Sequence, residues 1–147
     1  MFKPILVATD NTTQSNHAVH AAAALAKGLG AALTVFHASR TYKSPYYPDD
    51  VGFSWPAEEQ YSKESSTNAD KLLTRASALA KKQGVRVAKE HVFSDSPAEA
   101  IIVAAKKAKA DLIVMASHGR KGLDKLLLGS ETQKVLARTK LPVLIVR

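Results

Sequence analysis

The residues best suited to chemistry are concentrated between Met115 and Val135, in the stretch MASHGRKGLDKLLLGSETQKV. It contains three glycines, a histidine, an adjacent Arg-Lys pair and a Ser-Glu-Thr triplet, and it lies between the last two apolar runs. Such residues could form a phosphate-binding loop, present a serine nucleophile on a turn, or only connect and cap secondary structure. The strands and helices predicted around these residues help to decide between the three roles.

A phosphate-binding loop is consistent with the order of elements in this stretch. The apolar run that ends at Ser117 predicts a strand, Gly119 follows it, and GSET opens a helix at Ser130. Unpaired N–H groups and the dipole at a helix N-terminus favour an anion, and Arg120 and Lys121 would add positive charge. Helix capping without a ligand explains the glycines and Ser130 equally well, so the residues alone leave both interpretations open.

Other motifs for catalysis or phosphate binding are poorly supported. MASHG departs from a nucleophile elbow because Met115 replaces the first glycine, and no histidine follows His118 to act as the base. GLGAAL, at 28–33, begins like a dinucleotide fingerprint, but it joins a helix to a strand and the fingerprint needs the reverse order. We interpret it as a helix stop. The sequence contains no Walker loop.

The remaining polar candidates are histidines and one aspartate. His17 and His20 lie three residues apart on a predicted helix without a third ligand nearby, so we expect surface histidines rather than a metal site. His37 and His91 fall in predicted strands, where we expect structural hydrogen bonds. Asp10 follows the first strand, where it could contact a ligand or cap the next helix. The absence of cysteine excludes disulfides and thiolate ligands.

Apolar runs and amphipathic segments alternate along the chain. Strands are predicted at 4–10, 31–38, 85–93, 110–117 and 141–147. Helices are predicted between them: a first one with Ala18, Val19, Ala22, Leu25, Ala26 and Leu29 at helical spacing, and others at about 56–83, 96–108 and 130–139. The helix signals are Asn11, Thr12 or Thr13 as a first cap, Gly28, Gly30 and Gly84 as stops, and a capping box of Ser96, Pro97 and Glu99. Residues 41–56 show no period and predict a long loop.

This alternation predicts an α/β fold. Buried strands separated by amphipathic helices indicate a parallel sheet that is covered on both faces. Right-handed connections then give a three-layer, doubly wound, five-stranded sheet in a single domain over 1–147. Ligands of such folds bind beyond the carboxyl ends of the strands. The segments expected to border the site are therefore 8–10, 37–38, 94–95 and 116–119.

The charge of the chain suggests a class of ligand. A formal net charge of +8 suits nucleic acid, an acidic membrane surface or a phosphorylated ligand. The basic residues form no uninterrupted run and only 6% of residues are aromatic, so nucleic-acid binding is poorly supported. No apolar run approaches the roughly 20 residues that span a bilayer. Without a signal peptide, the expectation is a cytoplasmic protein with no membrane partner.

Two long segments carry a family resemblance. ILVATDNTTQSNHAVHAAAALAKGLGAALTVFHA and ADLIVMASHGRKGLDKLLLGSETQKVLARTKLPVLIVR resemble the two ends of the universal stress protein family, nucleotide-binding α/β proteins. The resemblance covers nearly the whole chain except residues 41–60. The ATP-binding branch carries the motif G-x-x-G-x9-G-[ST], which this chain matches at Gly119, Gly129 and Ser130, with Ala116 in the first position.

The resemblance implies a Rossmann-like fold of the adenine nucleotide alpha hydrolase type, with strand order 3-2-1-4-5. It also implies that adenine and ribose are held by Asp10 and the backbone near Ala8, Thr9 and Ala38. The remaining binding residues, mostly around the phosphates, would be Met115, Ala116, Ser117, His118, Gly119, Arg120, Lys121, Gly122, Gly129, Ser130, Glu131 and Thr132. Alanine at 116 suits a strand-like backbone but would weaken binding if that position needed a positive φ or very close ligand approach.

By the same resemblance, the protein binds ATP, with Mg²⁺, as a stress-response sensor or regulator, and it forms a homodimer through its last strand. The uncharged run LPVLIV is consistent with such edge pairing. No general base or activated nucleophile is identified, so any ATP hydrolysis is expected to be slow. Two alternatives remain open: a regulatory interaction protein that binds no nucleotide, and a slow ATPase or phosphotransferase that acts on a partner.

Overall fold

A computed structural model of the chain describes residues 2–43, 55–118 and 127–147. The elements are β1 Ile5–Ala8, α1 Thr13–Leu29, β2 Leu33–Ser39, α2 Trp55–Lys81, β3 Val87–Phe93, α3 Pro97–Lys107, β4 Leu112–Ala116, α4 Ser130–Arg138 and β5 Val143–Val146. Each lies close to the segment predicted for it, whereas most of the predicted loop 41–56 lies outside the described residues. No helix in the described segments is long and apolar enough to cross a membrane.

The strands form one parallel sheet in the order β3-β2-β1-β4-β5, which confirms the predicted doubly wound topology. β1 is central, and Ile5 pairs with Leu33 on one side and Leu112 on the other. The chain proceeds outward from β1 to β3 and then returns to β4 beside β1. The strand order therefore switches between β1 and β4, which is where open α/β sheets bind ligands.

The two helix layers cover opposite faces of the sheet. Alternate residues of β1 belong to different cores, because Ile5 and Val7 pack with α1 and α2 while Leu6 packs with α3 and α4. Among the residues whose burial is described, Phe36 is the largest fully buried side chain, and it lies in the second core. This two-sided burial explains why the central strands are continuous apolar runs.

The helix-stop interpretation of GLGAAL is confirmed at Gly30. This residue has a left-handed φ of 61°, and its N–H donates to two carbonyls of the last turn of α1. Gly28 lies inside α1, so the prediction that it also stops the helix is wrong. The same helix begins after Thr12, whose hydroxyl accepts a hydrogen bond from the Ser15 N–H at 3.2 Å. Thr12 is therefore the first cap.

The predicted start of α3 is correct, but the side-chain hydrogen bonds of the predicted capping box are not formed. Ser96 is the N-cap and Pro97 the first helical residue, as expected, but Ser96 departs from extended geometry (φ −120°, ψ 80°) and its hydroxyl makes no cap hydrogen bond. Instead, Oε2 of Glu131 in α4 accepts a hydrogen bond from the Ala98 N–H at 2.9 Å. Glu99, predicted to close the box, is exposed. A carboxylate from a neighbouring helix thus replaces the local cap.

Candidate nucleotide-binding site

A cavity of about 1070 Å³ lies at the carboxyl ends of β1, β2 and β4 and reaches the start of α4. This is the position expected from the strand order. The cavity brings together predicted site residues from separate parts of the chain: Ala8, Thr9, Asp10, Ala38, Met115, Ala116, His118, Gly129, Ser130, Glu131 and Thr132. Of the other predicted residues, Ser117 does not line it, and Gly119, Arg120, Lys121 and Gly122 lie outside the described residues.

The first turn of α4 offers backbone donors to the cavity. The Gly129 N–H donates to the Ser117 carbonyl at 2.7 Å, which fixes the entry to the helix. Within the described residues, the N–H groups of Ser130, Glu131 and Thr132 have no hydrogen-bond partner, and the helix has no side-chain cap. An uncapped helix start beside a cavity can hold an anion through these N–H groups and the helix dipole.

Ala116 and Ser117 hold the end of β4 against α4. Ala116 is the last residue of β4 and pairs with Val146, so the first motif position has a strand backbone that alanine adopts readily. The Thr132 hydroxyl donates to the Ala116 carbonyl at 3.1 Å. Ser117 is buried, and its hydroxyl lies 3.0 Å from Nδ1 of His118. Ser117 therefore has a structural role, and it does not line the cavity.

His118 lines the cavity and carries a buried polar atom. Its Nδ1 contacts the Ser117 hydroxyl, whereas its Nε2 is shielded from solvent and meets no partner among the described residues. An unpaired buried polar group costs about 1–3 kcal/mol. The ring therefore holds unused hydrogen-bonding capacity at the edge of the site.

Asp10 supports the start of α1 and also lines the cavity. Its Oδ1 accepts hydrogen bonds from the Thr12 N–H at 3.1 Å and from the Thr12 hydroxyl at 2.7 Å. Thr12 in turn caps α1, so Asp10 stabilises the cap rather than forming it. Asn11, between them, has a φ of 65°, a left-handed conformation that asparagine tolerates. The helix-start role is observed, and contact with a ligand stays a prediction.

The two strand histidines make structural hydrogen bonds, as predicted. Nδ1 of His37 lies 2.8 Å from the Thr9 carbonyl, so this nitrogen carries the proton. Nε2 of His91 lies 2.8 Å from the Ser39 hydroxyl, and the two rings stack with centroids 6.0 Å apart. Burial and the neighbouring His37 hold the pKa of His91 below its usual value. The two rings thus pack against each other across β2 and β3, and His37 also lines the cavity.

One wall of the cavity, formed by α2, was not predicted from the sequence. Its polar members recur at helical spacing: Tyr61, Ser65, Asn68, Lys71 and Arg75. Lys71 and Arg75 form no ion pair within the described residues, so they add net positive charge to this wall. The spacing was a usable signal, but a polar stripe on an amphipathic helix ordinarily marks the face toward solvent.

Hydrogen bonds also join the segments that follow β2 and β3. The Thr41 hydroxyl donates to Oδ2 of Asp95 at 2.6 Å, and the Thr41 N–H donates to Oδ1 at 3.3 Å. These hydrogen bonds from Thr41 hold the pKa of Asp95 below its usual value. The Tyr61 hydroxyl donates to the Arg40 carbonyl at 2.9 Å, which ties α2 to the same edge. Asp95, Arg40 and Tyr61 all line the cavity.

Comparison with known proteins agrees with the sequence resemblance. The model of the universal stress protein family matches residues 1–147. The universal stress protein in QAH/OAS sulfhydrylase 3′region of Thermus aquaticus is 40% identical over 147 residues, which cover 100% of both chains.

Solved structures with the same fold include three from related proteins. Protein MJ0577 of Methanocaldococcus jannaschii has a TM-score of 0.84 at 24% identity, with 99% of this chain and 96% of that chain covered. A universal stress protein in complex with cAMP has a TM-score of 0.73 at 26% identity, with 99% and 97% covered. One from Archaeoglobus fulgidus in complex with dAMP has a TM-score of 0.68 at 20% identity, with 99% and 98% covered.

The family match extends over the same residues that build the sheet, the cavity and the start of α4. Solved structures below 25% identity support the fold alone. The family model and the Thermus aquaticus relative also support membership of the family. The chain belongs to the universal stress protein family.

Proposed function

We propose that this protein binds ATP, together with Mg²⁺, in the cavity at the ends of β1, β2 and β4, and acts as a stress-response sensor or regulator. The observation that carries the proposal is the first turn of α4. Its N–H groups at Ser130, Glu131 and Thr132 have no partner within the described residues, and all three residues line the cavity. Phosphate oxygens would satisfy these donors.

The other helix starts on the described surface fit an anion less well. At α1, Thr12 accepts from the Ser15 N–H and Asp10 accepts from the Thr12 N–H. At α3, the Ala98 N–H is taken by Glu131. Among α1, α3 and α4, the last is therefore the natural seat for phosphates. The cAMP and dAMP complexes of similar proteins support a nucleotide as the ligand class.

Mg²⁺ would be held chiefly by the phosphates of the ligand. Among the described residues, no group of three or more His, Asp or Glu side chains is arranged to hold a metal ion. His17 and His20 are exposed on α1, as expected for surface histidines. Mg²⁺ commonly keeps several waters and binds through substrate phosphates, so this residue set fits it as a companion of ATP. There it would reduce the negative charge of the phosphate chain.

Hydrolysis by this site is expected to be slow at most. Ser117 does not line the cavity, and its hydroxyl is engaged by His118. Asp10 uses an oxygen to hold Thr12. Neither Ser117 nor Asp10 is thus set to activate a water or to act as a nucleophile. A regulator that responds to occupancy suits this arrangement better than an ATPase.

Ligand extraction and thermal shift test the proposal. Protein purified under native conditions and then denatured is expected to release an adenine nucleotide detectable by mass spectrometry. Mg-ATP added at about 100 times its Kd should stabilise the folded state by about 2.7 kcal/mol. No released nucleotide together with no shift would contradict ATP binding and favour an interaction protein without a nucleotide. Phosphate release at a substantial rate would instead favour the enzyme alternative.

We also propose a homodimer through β5, which forms one edge of the sheet. The Ile113 N–H donates to the Pro142 carbonyl and the Ser117 N–H to the Val146 carbonyl. Backbone groups alternate in direction along a parallel strand, so those of Val143 and Ile145 point away from β4, where a second β5 could pair. No charged side chain lies between Leu141 and Val146.

Leu144→Lys is expected to convert the dimer to monomer, because it places a charge on the edge strand at a side chain that is already 39% exposed. Leu136→Lys, on α4 with 41% exposure, is the matched control and should leave the dimer intact. Light scattering coupled to size-exclusion chromatography measures both. A monomeric wild-type protein, or a dimeric Leu144→Lys protein, would refute pairing through β5.

A further inference from the structure

Glu131 places a negative charge in the first turn of the helix proposed to hold phosphate. It is the second residue of α4 and lines the cavity. Its Oε2 accepts a hydrogen bond from the Ala98 N–H at 2.9 Å, and its Oε1 lies 2.8 Å from Nζ of Lys134. Both carboxylate oxygens are therefore held by the protein.

The contact with α3 determines which helix start a ligand can use. Pro97, the first residue of α3, borders the cavity and has no N–H. The Ser96 N–H donates to the Ser94 hydroxyl at 3.1 Å, and the Ala98 N–H donates to Glu131. The protein's own carboxylate thus occupies the anion-binding end of α3, and α4 remains for the ligand.

The carboxylate of Glu131 stays charged at neutral pH. Burial raises its pKa, but the hydrogen bonds from Lys134 and the Ala98 N–H, with the nearby Arg138, outweigh burial and hold the pKa below its usual value. The side chains of Glu131 and Lys134 are 36% and 50% exposed, so their attraction is partly screened by solvent. Glu131 therefore keeps part of its negative charge beside the start of α4, where it opposes the attraction of the helix N–H groups for an anion.

We propose that Glu131 sets the charge preference of the site, so that it favours phosphoryl groups whose charge is reduced, by Mg²⁺ or by esterification, over an uncomplexed triphosphate. The inference rests on the proposed function. Coulomb repulsion grows with the charge of the ligand. Free ATP carries more negative charge than Mg-ATP, and adenosine carries none. Glu131 is a specificity-determining residue in this scheme and takes no part in chemistry.

Glu131→Gln tests this preference, because the amide oxygen of glutamine can still accept from the Ala98 N–H while the charge is lost. Calorimetric titrations would use ATP with EDTA, Mg-ATP and adenosine. The variant is expected to bind free ATP about tenfold more tightly and Mg-ATP about threefold more tightly, with adenosine unchanged. Lys134→Gln should act in the opposite direction, because it leaves the carboxylate less neutralised.

Glu99→Gln is the matched control. It removes the same charge from an exposed position in the first turn of α3, outside the cavity lining, and should change none of the three affinities. Thermal melts establish that each variant is folded.

Three results would overturn the inference. Weaker Mg-ATP binding with unchanged free-ATP binding in Glu131→Gln would make Glu131 a metal ligand. Equal changes for ATP, Mg-ATP and adenosine would make its role purely structural. If the wild-type protein binds both free ATP and Mg-ATP, and Glu131→Gln leaves the ratio of the two affinities unchanged, the charge preference is refuted while ATP binding stands. A wild-type protein that binds none of the three ligands would instead refute the proposed function, and this inference with it.

Discussion

Ser130→Pro is expected to lower the affinity for Mg-ATP by about 10–100-fold while the protein remains folded. Ser130 is the first helical residue of α4, and its N–H has no partner within the described residues. Proline is tolerated at this position because no intrahelical hydrogen bond needs the N–H. Gly129 before it, at φ −58° and ψ 152°, already has a backbone conformation compatible with a following proline. The substitution therefore deletes one proposed phosphate donor and leaves the rest of the backbone nearly unchanged.

Ser130→Ala separates this donor from the hydroxyl. It keeps the N–H, so its loss of Mg-ATP affinity should be much smaller than that of the proline variant. Adenosine should bind all three proteins alike, because it has no phosphate to lose contact with α4. Calorimetry with Mg-ATP and adenosine, alongside thermal melts, measures these differences. Wild-type affinity for Mg-ATP in a folded Ser130→Pro protein would show that phosphates do not use this helix start.

The secondary structure was predictable from runs and alternation of apolar residues in the sequence. β4 is buried at all five positions, so its residues Leu112–Ala116 read as one apolar run whatever they pack against. β3 lies at the other edge of the sheet and carries Lys89 and Glu90, yet its alternation still marks a strand. Strand order required more than local pattern, and it came from the family resemblance.

Part of the site was predictable from the ends of the strands. Asp10, Ala38 and Ala116 are distant in sequence, but each lies at or just beyond the carboxyl end of a neighbouring parallel strand, so they line one cavity. The α2 wall was not predictable, because Asn68 and Arg75 line the cavity only through the way in which α2 packs on the sheet. The spacing of polar residues along α2 does not specify how the helix is rotated about its axis against the sheet.

Long-range hydrogen bonds were the other part that sequence reasoning missed. The capping-box pattern at 96–99 identifies atoms that are able to cap, but Glu131, 33 residues away from Ala98, supplies the acceptor. Thr41 and Asp95 are 54 residues apart. Which partner a donor meets depends on how α3, α4 and the strand ends are brought together, and a local motif carries no information on that.

Phe36→Ala is expected to lower the free energy of unfolding by about 3–5 kcal/mol. Phe36 is 1% exposed and belongs to the core between the sheet and the α3–α4 layer. Its removal leaves a void among groups fixed by the strands and by α3, which can collapse only in part. Urea denaturation monitored by circular dichroism measures the loss, and the melting temperature should fall by about 10 °C.

Two comparisons distinguish core packing from a general effect of truncation. Val103→Ala removes an apolar side chain from α3 that is 59% exposed, and it should cost about 0.5 kcal/mol or less. Phe36→Leu keeps most of the apolar volume and should lose much less stability than Phe36→Ala. Equal losses in Phe36→Ala and Val103→Ala would contradict the place of Phe36 in the core. Because Phe36 also lines the cavity, a Phe36→Leu protein that stays folded but binds adenosine more weakly would indicate that the same ring supports the nucleoside end of the ligand.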